Sequence, residues 1–347
     1  MRGPAGRPES PKTIPESASV AVSVVIPAFQ AEQWVRTALE SVAVQQLQPD
    51  RVVEVVVVDD GSTDETVAIA QRTLDEFGLI GTVIRQSHGG VSAARNAGWR
   101  AARGDWIQFL DADDRLAETK LATQLGLALA VDGNCAVVYS AWQRLLPDHD
   151  SWVPLGPIED PVLDEPVRSI IEDQWFGYVG PCLIRRDALV TLGGFDETKS
   201  LGEDLDLMLR LAIAGRDLRR APSATPLYFY RQLPGSLWQR ARKDPAALRG
   251  LNATETNAEL HIRRIQENIL STRTRLALAE RYITIYQCSR GLDDTLTASL
   301  LDQIAALRLR RAPKNAPRSA RALATIIGLD HAVRMHDLVR SYIPSRR

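Results

Sequence analysis

The sequence predicts an α/β fold: a mainly parallel sheet flanked by helices, followed by an α-helical C-terminal extension. Three observations predict it. Short apolar, β-branched runs alternate with helix-period segments through the first 130 residues, the pattern of right-handed βαβ units. Three of those runs end abruptly in polar residues. Beyond residue 240 the β-branched runs give way to apolar residues at 3–4 spacing, the helical period. The expected division is a disordered lead-in over residues 1–20, an α/β domain over 21–240 and a helical extension over 241–347.

Residues 20–27 (VAVSVVIP) read as a buried strand that Pro27 ends. Residues 31–46 follow as a helix with Trp34, Val35, Ala38, Leu39 and Val42 on one side. Residues 52–58 (VVEVVVV) form a second buried strand that closes in Asp59-Asp60-Gly61-Ser62-Thr63-Asp64. The glycine permits a sharp turn, and Ser62 to Asp64 can cap a helix running to Phe77. Residues 82–85 read as a third strand. After Gly89-Gly90 a small-residue helix starts at Ser92, and Gly104 ends it. Residues 106–110 are the fourth strand, residues 116–130 a helix, and residues 135–139 a further strand. A helix from Asp187 leads to the turn Gly193-Gly194, and an apolar helix opens at Gly202-Glu203-Asp204.

The fourth strand stops in three carboxylates, Asp111, Asp113 and Asp114. Carboxylates this close repel one another unless a cation or a hydrogen-bond network neutralises them. Oxygen ligands of this kind suit Mg2+ or Mn2+ shared with substrate phosphates; the plain alternative is a helix N-cap. In a parallel sheet, ligands bind beyond the C-terminal strand ends. Residues 27–30, Asp59-Asp60 and residues 111–114 therefore share one rim. Neither GxGxxG nor a P-loop follows the first strand, which ends PAFQAEQW, so side chains and a metal must hold any nucleotide.

Bulk properties restrict the partners. A net charge of −1 over 347 residues gives no whole-chain case for nucleic acid. Cys135, Cys182 and Cys288 form no CxxC pair, which argues against a disulfide framework or zinc site and suits a reducing compartment. No run approaches the roughly 20 apolar residues of a membrane helix, and residues 1–19 lack a signal-peptide core. The expected location is cytoplasmic, with peripheral contact at the inner membrane face as an option. Residues 301–347 carry ten Lys or Arg against three Asp, a patch for phosphate, anionic lipid or an acidic partner, or else a solvated helix face.

Together and in order, SVVIPAFQ, VVVVDDGSTDET, GGVSAARNAG, WIQFLDADD, LGGFDE with GEDLDLMLRLA, and LYFYRQLPGS resemble a family 2 glycosyltransferase of GT-A (Rossmann-like) fold. The resemblance runs over residues 23–236. It implies a hexosyl-type, metal-dependent, inverting transfer from a nucleotide-diphosphate sugar, a UDP-sugar foremost, to a hydroxyl acceptor. That acceptor would be a surface polysaccharide, a glycolipid or a metabolite, and the cofactor Mn2+ or Mg2+. Pro27, Ala28 and Phe29 would line the base and ribose pocket, Phe29 standing where the family usually has Tyr. Asp60 would accept a hydrogen bond from the base, while Asp59 is structural. Arg95 would sit near the nucleotide or brace its loop. Asp111 would contact the ribose, with Ala112 beside it, and Asp113 would ligate the metal. Asp204 is implied as the catalytic base, with Glu203 in reserve and Asp206 as partner of Arg210. The aromatic loop over 174–181 is a sugar-stacking wall or packing under the sheet.

One departure stands out. The family often has His two residues after its YR pair, but Tyr230-Arg231 is followed by Gln232-Leu233. A catalytically silent nucleotide-sugar scaffold or sensor, acting through the helical tail, is the reading from a different class. A nucleotidyltransferase would want a Gly-rich basic loop where PAFQAEQW stands. Residues 245–287, 292–310 and 318–341 read as helices that pair subunits, bind a partner enzyme, lie on a membrane surface or cover the α/β domain.

Overall fold

The computed structural model describes residues 19–131, 133–148, 151–163, 165–172, 178–233, 242–265 and 270–309, with isolated positions at 312, 313, 316, 329 and 333. The lead-in up to residue 18, residues 174–177 of the aromatic loop and nearly all of the helix expected over 318–341 lie outside the described residues. The chain forms two compact units that interleave along the sequence. The first takes residues up to 161, 178–197 and 214–233; the second takes 162–177, 198–213 and everything from 234 onward. That differs from the contiguous division at 240 that the composition shift predicts, because two short internal segments pack with the later helices.

The first unit is built on a mixed seven-stranded sheet. Its strands are β1 (Ser19–Ala28), β2 (Arg51–Asp59), β3 (Ile80–Arg85), β4 (Trp106–Phe109), β6 (Cys135–Tyr139), β9 (Cys182–Arg185) and β10 (Asp217–Arg220). The spatial order is β10-β6-β9-β4-β1-β2-β3, and only β9 runs antiparallel to its neighbours. β1 lies between β2 and β4, so the chain reverses its direction of travel there, and ligand crevices open at such a switch point. Helices α1 (Val35–Ala43), α2 (Thr66–Phe77), α3 (Val91–Ala101), α4 (Lys120–Ala130) and α6 (Arg186–Leu192) belong to this unit.

Several expectations shift for identifiable reasons. Pro27 does not end β1; it pairs with Val58 inside the ladder. Val25 O accepts from Leu110 N, so Pro27, two residues on, faces the same side, where β4 has already ended and no N–H is missed. Gly104 does not end α3, which stops at Ala101; a Cβ on Gly104 would lie 2.6 Å from Ser23 N, so the glycine serves a close chain crossing. Gly98 lets α3 rest on β1 and β2, since a Cβ there would collide with Val25 and reach Val58 Cγ2 at 3.2 Å. The helix expected over 116–130 starts only at Lys120, because Arg115–Leu116 form β5 instead.

β5 belongs to a second sheet of four strands, β5-β11-β7-β8, with β7 (Trp142–Asp148), β8 (Ser151–Glu159) and β11 (Tyr228–Arg231). β5 pairs antiparallel with β11, Leu116 opposite Tyr228. This sheet, like the hairpin β7–β8, is absent from the sequence reading.

The second unit is helical: α5 (Pro166–Glu172), α7 (Glu203–Ile213), α8 (Pro245–Ile265), α9 (Thr272–Ser289) and α10 (Asp294–Ala306). The single helix expected over 245–287 is two helices, and Ser271 caps the second by accepting from Thr274 N at 3.0 Å. Arg281 ties three of them together, donating to Glu255 Oε1 at 2.7 Å and to the backbone oxygens of Ile170 and Ile171. No helix among the described residues is long and apolar enough to cross a membrane.

Candidate active site

The C-terminal ends of β1, β2 and β3 are tied in series. Ala28 O accepts from Asp60 N at 2.8 Å, and Asp59 O accepts from Gln86 N at 2.9 Å. This fixes the rim on which the predicted donor-side residues stand. Pro27 and Ala28 are buried in the sheet, and Phe29 is 44% exposed. Asp59 is structural, its Oδ1 accepting from Ser62 N at 3.2 Å. Asp60 is buried, and its carboxylate is turned into the following loop. Oδ1 accepts from Gln86 Nε2 at 2.7 Å and Gly89 N at 2.8 Å, and Oδ2 accepts from Gly90 N at 2.8 Å. His88 Nδ1 stands 2.9 Å from Oδ2 as well.

At the end of β4 the three carboxylates have three different environments. Asp111 Oδ1 is paired with Arg95 at 2.9 Å, and its side chain stays 26% exposed. Arg95 is buried on α3, its guanidinium 5.2 Å from the Phe195 ring centroid, so it braces Asp111 at the rim. Ala112 is buried. Asp113 is partly exposed, and no side chain among the described residues donates to its carboxylate. Burial and the neighbouring Asp111 charge push its acid up to about 6.

Asp114 is fully buried and holds the two sheets together. It accepts from Tyr228 Oη at 2.7 Å, from Arg231 N at 2.8 Å and from Tyr178 Oη. Tyr178 Oη also lies 3.1 Å from Asp111 Oδ2. Burial, reinforced by the Asp113 and Asp111 charges, lifts the Asp114 acid well above the usual carboxylate range. Of the aromatic loop, then, the described Tyr178 is a support for carboxylates.

Arg231 fills the floor under the acidic turn. Its Nη1 donates to Thr37 Oγ1 at 2.8 Å and to Asp113 O at 3.3 Å, between the rings of Trp34 and Trp152. Sequence reasoning passes over Tyr178, Tyr228, Arg231 and His88. Arg231 is visible there only as part of the YR pair and Tyr178 only as part of the aromatic loop, neither with the role the structure gives it.

The two expected acid–base residues belong to the second unit. Glu203 and Asp204 are both buried in the first turn of α7, where the helix macrodipole favours negative charge. Gly202 at φ +74 brings this turn against Leu251. Asp206 pairs with Arg210 at 2.7 Å, as the four-residue spacing predicts.

Among the described residues no three His, Cys, Asp or Glu side chains form a ready-made metal site. One uncompensated carboxylate beside a second is instead the donor set of an ion that draws its other ligands from phosphates and water. Asp113 fits that role.

Fold and rim together define a GT-A type α/β protein, with carboxylates at the C-terminal ends of β2 and β4. The family model described as Glycosyl transferase family 2 matches residues 23–191, and that described as Glycosyl transferase family group 2 matches residues 159–300. Over residues 23–300 the chain is similar to family 2 glycosyltransferases. It is 30% identical over 229 residues to the succinoglycan biosynthesis protein ExoO of Rhizobium meliloti, covering 64% of each chain. The chain spans less than two thirds of the length of the curated relatives it matches. Residues 1–349 of Staphylococcus aureus TarS, solved with UDP-GlcNAc, superpose with a TM-score of 0.62 at 18% identity, over 93% of this chain and 92% of that one. The Pyrobaculum calidifontis mannosyltransferase PcManGT, solved with GDP-Man and Mn2+, gives 0.52 at 18% identity, over 94% and 88%.

Proposed function

We propose that this protein is a glycosyltransferase that moves a sugar from a nucleoside-diphosphate donor to a hydroxyl acceptor with inversion at the anomeric carbon. The observation that carries the reading is Asp113: a carboxylate at a strand end, raised to about 6, with no side-chain donor among the described residues. Leaving such a group uncompensated is costly, and a divalent cation with a diphosphate is what would compensate it. Mn2+ or Mg2+ would be held by Asp113 with Asp111 nearby, and would supply Lewis-acid stabilisation of the departing diphosphate.

The remaining roles fall to the chain itself. Arg95 keeps Asp111 oriented toward the ribose, and the exposed Phe29 ring offers a stacking face for the base. Asp204, with Glu203 in reserve, takes the proton from the acceptor hydroxyl. The oxygen then attacks the anomeric carbon on the face opposite the leaving nucleoside diphosphate. A UDP-sugar is the donor we favour, supported by the UDP-GlcNAc held by TarS. Polysaccharide or glycolipid assembly is the setting we favour, supported by the ExoO relative.

The test is thermal unfolding of the full chain with UDP and GDP, each with and without Mn2+. A ligand that binds only the native state adds RT ln(1 + [L]/Kd), about 2.7 kcal/mol at a hundredfold excess. The expected result is a metal-dependent rise with one nucleotide. Asp204→Asn should keep that rise and lose donor turnover. No rise with either nucleotide refutes the donor site, and full turnover by Asp204→Asn refutes the base.

A further inference from the structure

The carboxylate of Asp111 is clamped on both oxygens. Oδ1 is paired with Arg95 at 2.9 Å, and Oδ2 lies 3.1 Å from Tyr178 Oη. A carboxylate offers about four acceptor positions, so two remain, on a side chain that is 26% exposed.

Tyr178 is itself fixed from several sides. Its ring meets those of Trp142, Tyr228 and Tyr230 at centroid distances of 5.9, 5.5 and 5.5 Å. Its hydroxyl also reaches Asp114 Oδ2 and, at 3.1 Å, Tyr228 Oη. The backbone that follows is pinned by buried donors. Gln108 Nε2 donates to Gly180 O at 2.8 Å, Gln124 Nε2 to Pro181 O at 2.8 Å, and Ser140 Oγ to the same oxygen at 3.2 Å. All three donor side chains are fully buried, where a polar group without its partner is costly. The stretch cannot shift without stranding them. Gln108 stands on β4, the strand that leads directly into Asp111. One strand therefore carries the carboxylate and holds the backbone of the tyrosine that clamps it.

Asp114 and Asp111 depend on that tyrosine unequally. Asp114 also accepts from Tyr228 Oη at 2.7 Å and from Arg231 N at 2.8 Å. Among the described residues the Asp111 carboxylate meets only Arg95 and Tyr178. Without the Tyr178 hydroxyl, Asp114 keeps two donors, whereas Asp111 keeps one and is free to turn. We propose that Tyr178 is a positioning residue through which the donor site selects ribonucleotides. It locks Asp111 so that the open side of the carboxylate meets a ribose hydroxyl at a fixed angle. Orientation settled before binding costs no ordering when the ligand arrives, and a contact whose support is removed becomes loose. A sugar ring with no hydroxyl to donate leaves the clamped carboxylate unpaired and binds more weakly.

This inference rests on the donor reading above, in which Asp111 meets the ribose, and the experiment separates the two. Dissociation constants are measured on the full chain with Mn2+ for UDP, GDP and their 2′,3′-dideoxy forms. Wild type, Tyr178→Phe and Tyr228→Phe are compared. Each variant keeps its ring and loses one hydroxyl on Asp114, so their costs in stability should be alike; only Tyr178→Phe also releases Asp111. Wild type should bind its preferred nucleotide roughly tenfold or more tighter than the dideoxy form, as a hydrogen bond to a charged group would give. Tyr178→Phe should cut that ratio about fivefold, the equivalent of one net hydrogen bond, and Tyr228→Phe should leave it unchanged. An unchanged ratio in Tyr178→Phe, or an equal fall in Tyr228→Phe, overturns the role of Tyr178 and leaves the donor reading standing. Wild type that binds both sugar forms alike overturns the Asp111 contact and this role with it. Wild type that binds none of the nucleotides overturns the donor reading as well. Crystals of the wild type with Mn2+ and the preferred nucleotide test the point even if Tyr178→Phe fails to fold. Tyr178 Oη should stay within hydrogen-bond distance of Asp111, and a hydroxyl that has left it overturns the proposal.

Discussion

Replacing Asp113 with Asn separates stability from ligand binding in a way a purely structural aspartate would not. In the ligand-free chain the Asp113 acid is raised from 3.8 to about 6. A group whose folded value lies above its unfolded value stabilises the fold below the unfolded value, and that contribution is lost as pH rises through the folded one. The wild type therefore gives up stability between pH 4 and pH 7. The gap corresponds to about 3 kcal/mol, which the partial exposure of the side chain discounts to about 2 kcal/mol. Asn is neutral at every pH, so Asp113→Asn should be the more stable protein at pH 8 without ligand, its midpoint higher by about 4 °C. The advantage should shrink toward zero near pH 4. With Mn2+ and excess UDP the order should reverse, because only the wild type gains from the ligand. Thermal unfolding at pH 4.5 and 8, with and without both ligands, reads all four states. A variant less stable than the wild type at pH 8 without ligand, or one still raised by Mn2+ and UDP, would refute the reasoning.

Two further outcomes follow from buried groups. Lys120 is fully buried with its Nζ on Gln108 Oε1 at 2.6 Å, Gln124 Oε1 and Pro181 O at 3.4 Å, and burial lowers its ammonium from 10.5 to about 7. The unfolded chain binds the extra proton between those values, so wild-type stability should rise with pH from about 7 to 10.5, by on the order of 5 kcal/mol at most. Urea unfolding of Lys120→Met should show a much flatter profile over that window, and an unchanged slope would exclude Lys120 as its source. Gly180→Ala would put a Cβ 2.7 Å from the Tyr228 hydroxyl and 2.8 Å from its Cε2. Overpacking a fully buried ring costs about 1–3 kcal/mol, and a urea midpoint shift worth less than half a kcal/mol would contradict the packing described.

The legible part of the fold is the part whose residues announce burial on their own. VVEVVVV can be little other than a strand with both faces covered, and it became β2, buried over its last six residues. The rim followed from the abrupt change to Asp at the ends of such runs. β8 gave no such signal because it is a largely exposed strand interrupted by Pro154 and Pro157, and DLRR, which is β10, has a single apolar residue. In the site, a strand-end carboxylate was readable, but the direction it faces was not. Asp60 is saturated by donors 26 to 30 residues away, and Asp114 by tyrosines 64 and 114 residues away. Such pairings follow from topology, which local pattern does not encode.

The interleaving of the two units bears on how the helical region can be studied. The chain passes between them at residues 161, 177, 197, 213 and 233, so a stop codon after residue 240 would not release a finished module. It would leave α5 and α7 in the remaining chain while removing the helices they pack with, stripping cover from Ile170 and Ile171 and depriving their carbonyls of the Arg281 donors. Loss of activity in such a truncation would report exposed apolar surface and degradation, not a missing partner site. Surface substitutions on α8 and α10 in the intact chain are the deletion-free way to ask what that region does.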